Sequence, residues 1–121
     1  MTGAGYHYNV QAREKEVKLI IGSIVGDGSA VHTGFGFNVT KTATGRFLIT
    51  LDQKYPSIIS VQASVQQDGY SATDIHVNVG LTSASAGTVE LQLRDSSSAL
   101  KDQSGVNIDF VIFVKNTTLA R

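Results

Sequence analysis

The chain has 121 residues, with 10 Lys+Arg balanced by 10 Asp+Glu and no cysteine. That is one domain's length, enough to bury about 65% of the unfolded surface. Zero net charge offers no field to draw in nucleic acid or an anionic membrane, and disulfides and thiolate metal sites are excluded outright.

In chain order, Met1 to Val10 lacks the charged-then-apolar design of a signal peptide, and no apolar run approaches the roughly 20 residues of a membrane span. The expectation is a soluble protein made in a cytoplasm. Residues 1–16 read as an extended arm, small and flexible at first, with Tyr6 and Tyr8 as amphipathic anchors. Arg13-Glu14-Lys15-Glu16 is a charged lead-in.

The first strand run places Val17, Leu19 and Ile21 on one face and Ile20 and Ile24 on the other, ends near Val25, and turns at Asp27-Gly28. Phe35, Phe37 and Val39 then share a face. After Thr44-Gly45, Phe47, Ile49 and Leu51 do the same, so these two runs read as a hairpin. Beyond Pro56, Ile59, Val61, Ala63 and Val65 alternate with Ser60, Gln62, Ser64 and Gln66, and Asp68-Gly69 turns the chain again.

Ile75, Val77, Val79 and Leu81 form the next alternation, and Val89, Leu91 and Leu93 the one after it. A Ser-rich polar loop spans Asp95 to Gly105. In the last run Ile108, Phe110, Ile112 and Val114 share one face, while Val111 and Phe113 make the other face apolar as well. Seven strand-length runs separated by Gly, Asp and Ser clusters predict an all-β chain: a single antiparallel β-sandwich or jelly roll over 17–121. Two accounts fit the double-faced last strand. Either it is a central strand covered on both sides, or Val111 and Phe113 meet another subunit; Phe35 and Leu48 are further candidates for partner-facing or end-of-barrel positions.

Catalytic and ligand signatures are weak. Gly34-Phe-Gly-Phe lacks the third glycine and the following helix of a dinucleotide fingerprint. His7, His32 and His76 are scattered. Asp74 and His76 lie about 7 Å apart along one strand face, where threefold symmetry would gather His76 rings, but an ordinary solvated face is the favoured reading. Asp95 and Asp102 match no calcium-loop spacing, and no Ser/His/Asp set stands out. No enzyme, cofactor, metal or small-molecule substrate is expected. Asn38-Val-Thr40 and Asn116-Thr-Thr118 fit the glycosylation acceptor rule, which has no consequence without secretion.

The stretches Lys18-Leu-Ile-Ile-Gly22, Gly26-Asp-Gly28, Gly34-Phe-Gly-Phe-Asn-Val39, Thr44-Gly45-Arg-Phe-Leu-Ile-Thr-Leu51, Tyr55 and Asp109-Phe-Val-Ile-Phe113 resemble a pattern found in bacteriophage virion proteins. These are trimeric jelly-roll heads, similar in fold to complement and tumour-necrosis-factor-type heads, that serve as capsid decoration (cement) proteins or fibre tips. The likeness spans roughly Val17 to Lys115. It departs at Arg46-Phe47-Leu48, where such folds more often place a polar outward residue.

The resemblance implies a homotrimer on the surface of a virion capsid, synthesised in the host cytoplasm, that clamps neighbouring subunits of the major capsid protein. Tyr6, Tyr8 and Arg13 are then the capsid-binding arm, and Val111 and Phe113 the trimer interface. The alternative is a receptor- or carbohydrate-binding tail-fibre tip, with specificity in the loops at Tyr70–Thr73, Thr82–Gly87 and Asp95–Gly105. A secreted head of the same fold is a third reading, opposed by the missing signal peptide.

Overall fold

Strict alternation over Phe47–Leu51 and Val89–Leu93 drives one face of each strand into a core and leaves the other wet. A computed structural model describes residues 17–67 and 75–116. Eight strands form: β1 (Val17–Val25), β2 (Val31–Gly34), β3 (Phe37–Ala43), β4 (Arg46–Leu51), β5 (Ser57–Gln67), β6 (Ile75–Ser83), β7 (Thr88–Asp95) and β8 (Val106–Lys115). They make two four-stranded antiparallel sheets, ordered β2-β1-β8-β5 and β3-β4-β7-β6.

The sheets face each other as a sandwich, as the alternation predicts. Hairpins β1–β2, β3–β4 and β6–β7 stay within a sheet, and the remaining connections cross between sheets. A jelly-roll order specifically rests on the sequence resemblance alone.

The core lies between β1 and β8 on one side and β4 and β7 on the other. Phe47, Ile49, Leu91, Leu93, Ile108 and Ile112 are fully buried there. Phe37 meets Phe110 edge to face, ring centroids 4.9 Å apart at 73°. That geometry favours an aromatic pair by about 0.5–1.5 kcal/mol beyond burial. Gly22 lies beside this pair, and a side chain there would run into the Phe37 ring.

The Ser-rich stretch after β7 is tied down by its acids. The Asp95 carboxylate accepts from the N–H groups of Ser97 at 2.9 Å and Ala99 at 3.1 Å. Asp102 accepts from Gly45 N–H at 2.7 Å and pairs with Lys41. Both carboxylates are thereby committed to holding loops.

Three sequence expectations need correction. Among the described residues the strands number eight, one more than expected, because Val31–Gly34, with one apolar residue in four, carries no alternation to read. Phe35 does not share a strand face with Phe37 and Val39; it lies between β2 and β3 and is 90% exposed. Ile59 faces outward because a bulge between Ile58 and Ser60 shifts the parity, so that Ile58 packs on the core instead. The Asp68-Gly69 turn and Asp74 lie outside the described residues.

Candidate functional site

The two sheets differ in their central strands, although Leu81 and Val79 on edge strand β6 also stay exposed. On the β3-β4-β7-β6 sheet, Arg46 Nη1 stands 3.2 Å from Glu90 Oε2, Gln92 Nε2 donates to Glu90 Oε1 at 2.7 Å, and Arg94 Nη2 donates to Gln92 Oε1 at 2.8 Å. A ladder of paired polar groups of this kind is at home in water. Leu48 belongs to this face, half-buried opposite Thr40 and Glu90, so it does not join Val111 and Phe113.

On the β2-β1-β8-β5 sheet, β1 turns Ile20 and Ile24 inward, which sends Leu19 and Ile21 out. β8 turns Ile108, Phe110, Ile112 and Val114 inward and sends Val111 and Phe113 out. Register then assembles rows across the strands. Leu19 opposes Phe113, which opposes Ser60; Ile21 opposes Val111, which opposes Gln62. Leu19 is 48% and Ile21 59% exposed, with Val111 and Phe113 half-buried between strands. Ile59, also exposed, lies at the β5 end of this face. Contiguous apolar surface of this sort marks interaction sites.

A third row is polar: Thr33, Ser23, Asp109 and Ser64 stand opposite one another across four strands. All four line a groove of about 670 Å³, together with Ile21 and Val111. Ser23, at 5% exposure, lines it, and its Oγ has no hydrogen-bond partner among the described residues. The ion pairs Lys41–Asp102 and Arg46–Glu90 lie elsewhere and leave the Asp109 carboxylate uninvolved. The groove thus presents hydroxyls, an amide from Gln62 and one carboxylate, with no Lys or Arg in its lining among the described residues. Those groups suit a neutral ligand rich in hydroxyls and disfavour an anion.

A second hollow of about 410 Å³ runs beside β1, lined by Lys18, Leu19, Ile20 and Ile21 together with Phe35 and Tyr55. Lys18 Nζ sits 5.6 Å from the Tyr55 ring centroid. Elsewhere, His76 is exposed opposite Arg94, a cation unfavourable to metal ligation at that position. No group of three potential metal-ligating side chains gathers among the described residues.

Of the residues singled out from sequence, Val111 and Phe113 fall on the apolar outer face. Tyr6, Tyr8 and Arg13 lie outside the described residues. Sequence reasoning missed Leu19 and Ile21 as their partners, although β1 carries the same double-faced alternation as β8. Ser23 and Asp109 left no local signal, because only pairing between distant strands brings them together.

No family model matches the chain, and no curated protein matches it. Among solved structures it is similar to the phiAB6 tailspike, crystallised in complex with three-repeated oligosaccharides of Acinetobacter baumannii surface polysaccharide. The TM-score is 0.49 at 16% identity, covering 83% of this chain and 20% of that one. The chain therefore spans about a fifth of the tailspike's length, and so distant a likeness carries no argument about activity or ligand.

Proposed function

We propose that this chain is a structural protein of a bacteriophage virion that associates with copies of itself, as a trimer, through the outer face of the β2-β1-β8-β5 sheet. In this reading it decorates a capsid, and the segment bearing Tyr6, Tyr8 and Arg13 binds a neighbouring shell protein. The supporting observation is the contrast between the central strands of the two sheets: β4 and β7 turn out a paired polar ladder, while β1 and β8 turn out a run of Leu19, Ile21, Val111 and Phe113. Covering a Leu or Phe side chain fully is worth about 1.5–3 kcal/mol, enough to favour association once several are buried together. The virion assignment itself rests on the resemblance at Gly22, Gly34, Phe37, Gly45 and Phe47. Each of these occupies a core or tight-approach position in the fold.

The test is the copy number of this chain in purified virions from its source, by quantitative mass spectrometry. Hundreds of copies per particle support a shell component. Complete absence from virions removes the virion reading and leaves the fold.

A second reading, a saccharide-binding head, is favoured by one feature, the groove lined by Thr33, Gln62, Ser64 and Asp109. A few dozen copies or fewer per particle, with oligosaccharide binding that Asp109→Ala abolishes, would select it over decoration.

A further inference from the structure

The hollow beside β1 has an unusual lining. Lys18, Leu19, Ile20 and Ile21 are consecutive, and all four border it. They belong to the part of β1 that β2 leaves unpaired.

β1 pairs with β8 along its whole length, but β2 covers it only at Gly22, Ser23 and Ile24. Beyond Gly34 the chain leaves for the other sheet through Phe35 and Gly36. Every second residue of Val17–Ile21 thus turns its N–H and C=O to an open side. Among the described residues, no turn or loop backbone bond reaches them. Phe35, 90% exposed, and the buried Tyr55 border the trench, and the Lys18 ammonium sits over the Tyr55 ring. An open edge beside apolar walls is the geometry by which an extended segment adds to a sheet.

We propose that this edge receives the N-terminal segment of a second copy of this chain as an added β-strand. The proposal rests on the self-association reading above and names the element that carries it. Tyr6, Tyr8, Val10 and Ala12 alternate with His7, Asn9 and Gln11, the period of a strand with one apolar face. The segment joins the domain at Val17, where the open edge begins. Folding back onto its own β1 would require a reversal within Arg13-Glu14-Lys15-Glu16, which has no Gly, Pro, Asn or Asp. Continuing outward is the easier course, and a dozen extended residues reach about 40 Å. Leu19 and Ile21 lie both on the outer face and beside the trench, so an added strand would continue the surface that the outer face offers.

The experiment is hydrogen exchange by mass spectrometry on the full chain over a range of concentrations, with sedimentation equilibrium on the same samples. Tyr8→Pro and Asn9→Pro are compared with wild type, because a strand donates from alternate residues and one of the two must interrupt the ladder. Tyr8→Phe is the conservative control, and the melting temperature of each variant reports folding.

The expected result is slowed exchange at Leu19–Ile21 that rises with oligomer mass. At least one proline variant loses that protection and associates roughly tenfold more weakly, while Tyr8→Phe keeps both. Association with fast exchange at Leu19–Ile21 at every concentration overturns strand addition and leaves the outer-face reading standing. Protection already complete in the monomer overturns the second copy and assigns the edge to the chain's own segment. A monomer at all concentrations overturns this proposal and the self-association reading together.

Discussion

Leu19 and Phe113 stand directly opposite each other on β1 and β8, on the face turned away from the core. Their strand neighbours Ile20 and Ile112, also paired, are buried beneath them. One sheet thus carries two apolar layers back to back, and only the inner one is covered by the second sheet.

Gly34 tests how tightly the entry to that sheet is built. Its φ is +100°, and a Cβ would lie 2.7 Å from Ile21 O and 2.8 Å from Gly22 Cα. Gly36 has a similar φ of +93°, but a Cβ there would meet nothing within 4 Å. Gly34→Ala should therefore cost about 2 kcal/mol or more, and at least ~1 kcal/mol beyond Gly36→Ala. Urea unfolding of the two variants checks the difference. Equal losses would mean that the close approach is relieved at no expense.

Removing the Ser23 hydroxyl should not harm the fold. A buried hydroxyl without a partner is destabilising, so Ser23→Ala should leave stability unchanged or raise it by up to about 1 kcal/mol. Thermal unfolding decides the matter. A loss above about 1 kcal/mol would show that the Oγ has a partner.

The Asp27 carboxyl is held below its ordinary value, first by the Ser29 side chain and then by the Ser29 backbone N–H, 2.9 Å from Oδ1. A folded value below the unfolded one means the charged form favours folding. The contribution is fully present above about pH 5 and fades as pH falls through the folded value. The site is partly open to solvent, so the effect is below about 1 kcal/mol. Asp27→Asn should lower stability slightly at pH 6 and converge with wild type near pH 2–3. A gap that stays constant with pH would contradict the assignment.

Much of the sandwich was legible from alternation, because burial of a single face imposes period two on strands such as β4, β7 and β8. Short β2 was not legible. Its place is set by pairing with β1 and by the backbone of Gly34, and neither leaves a hydrophobic pattern. Ile59 departs from its sequence alternation because a bulge reverses parity without any compositional mark. Val111 and Phe113 were legible as an outward apolar face, but their partners Leu19 and Ile21 follow from register between the two ends of the chain. The Thr33–Ser23–Asp109–Ser64 row was invisible for the same reason, each strand supplying a single ordinary polar residue.

The measurement closest to the central claim is sedimentation equilibrium of the full chain beside Phe113→Asp, with thermal melts of both. Residue 113 faces away from the core, so the variant should melt within a few degrees of wild type when both are dilute. Wild type should form a discrete oligomer, expected as a trimer, that Phe113→Asp weakens by roughly a hundredfold or more, as burial of an unpaired charge at an interface requires. A wild-type chain that stays monomeric at high concentration, or a Phe113→Asp chain that associates at full strength, would contradict assembly through this face.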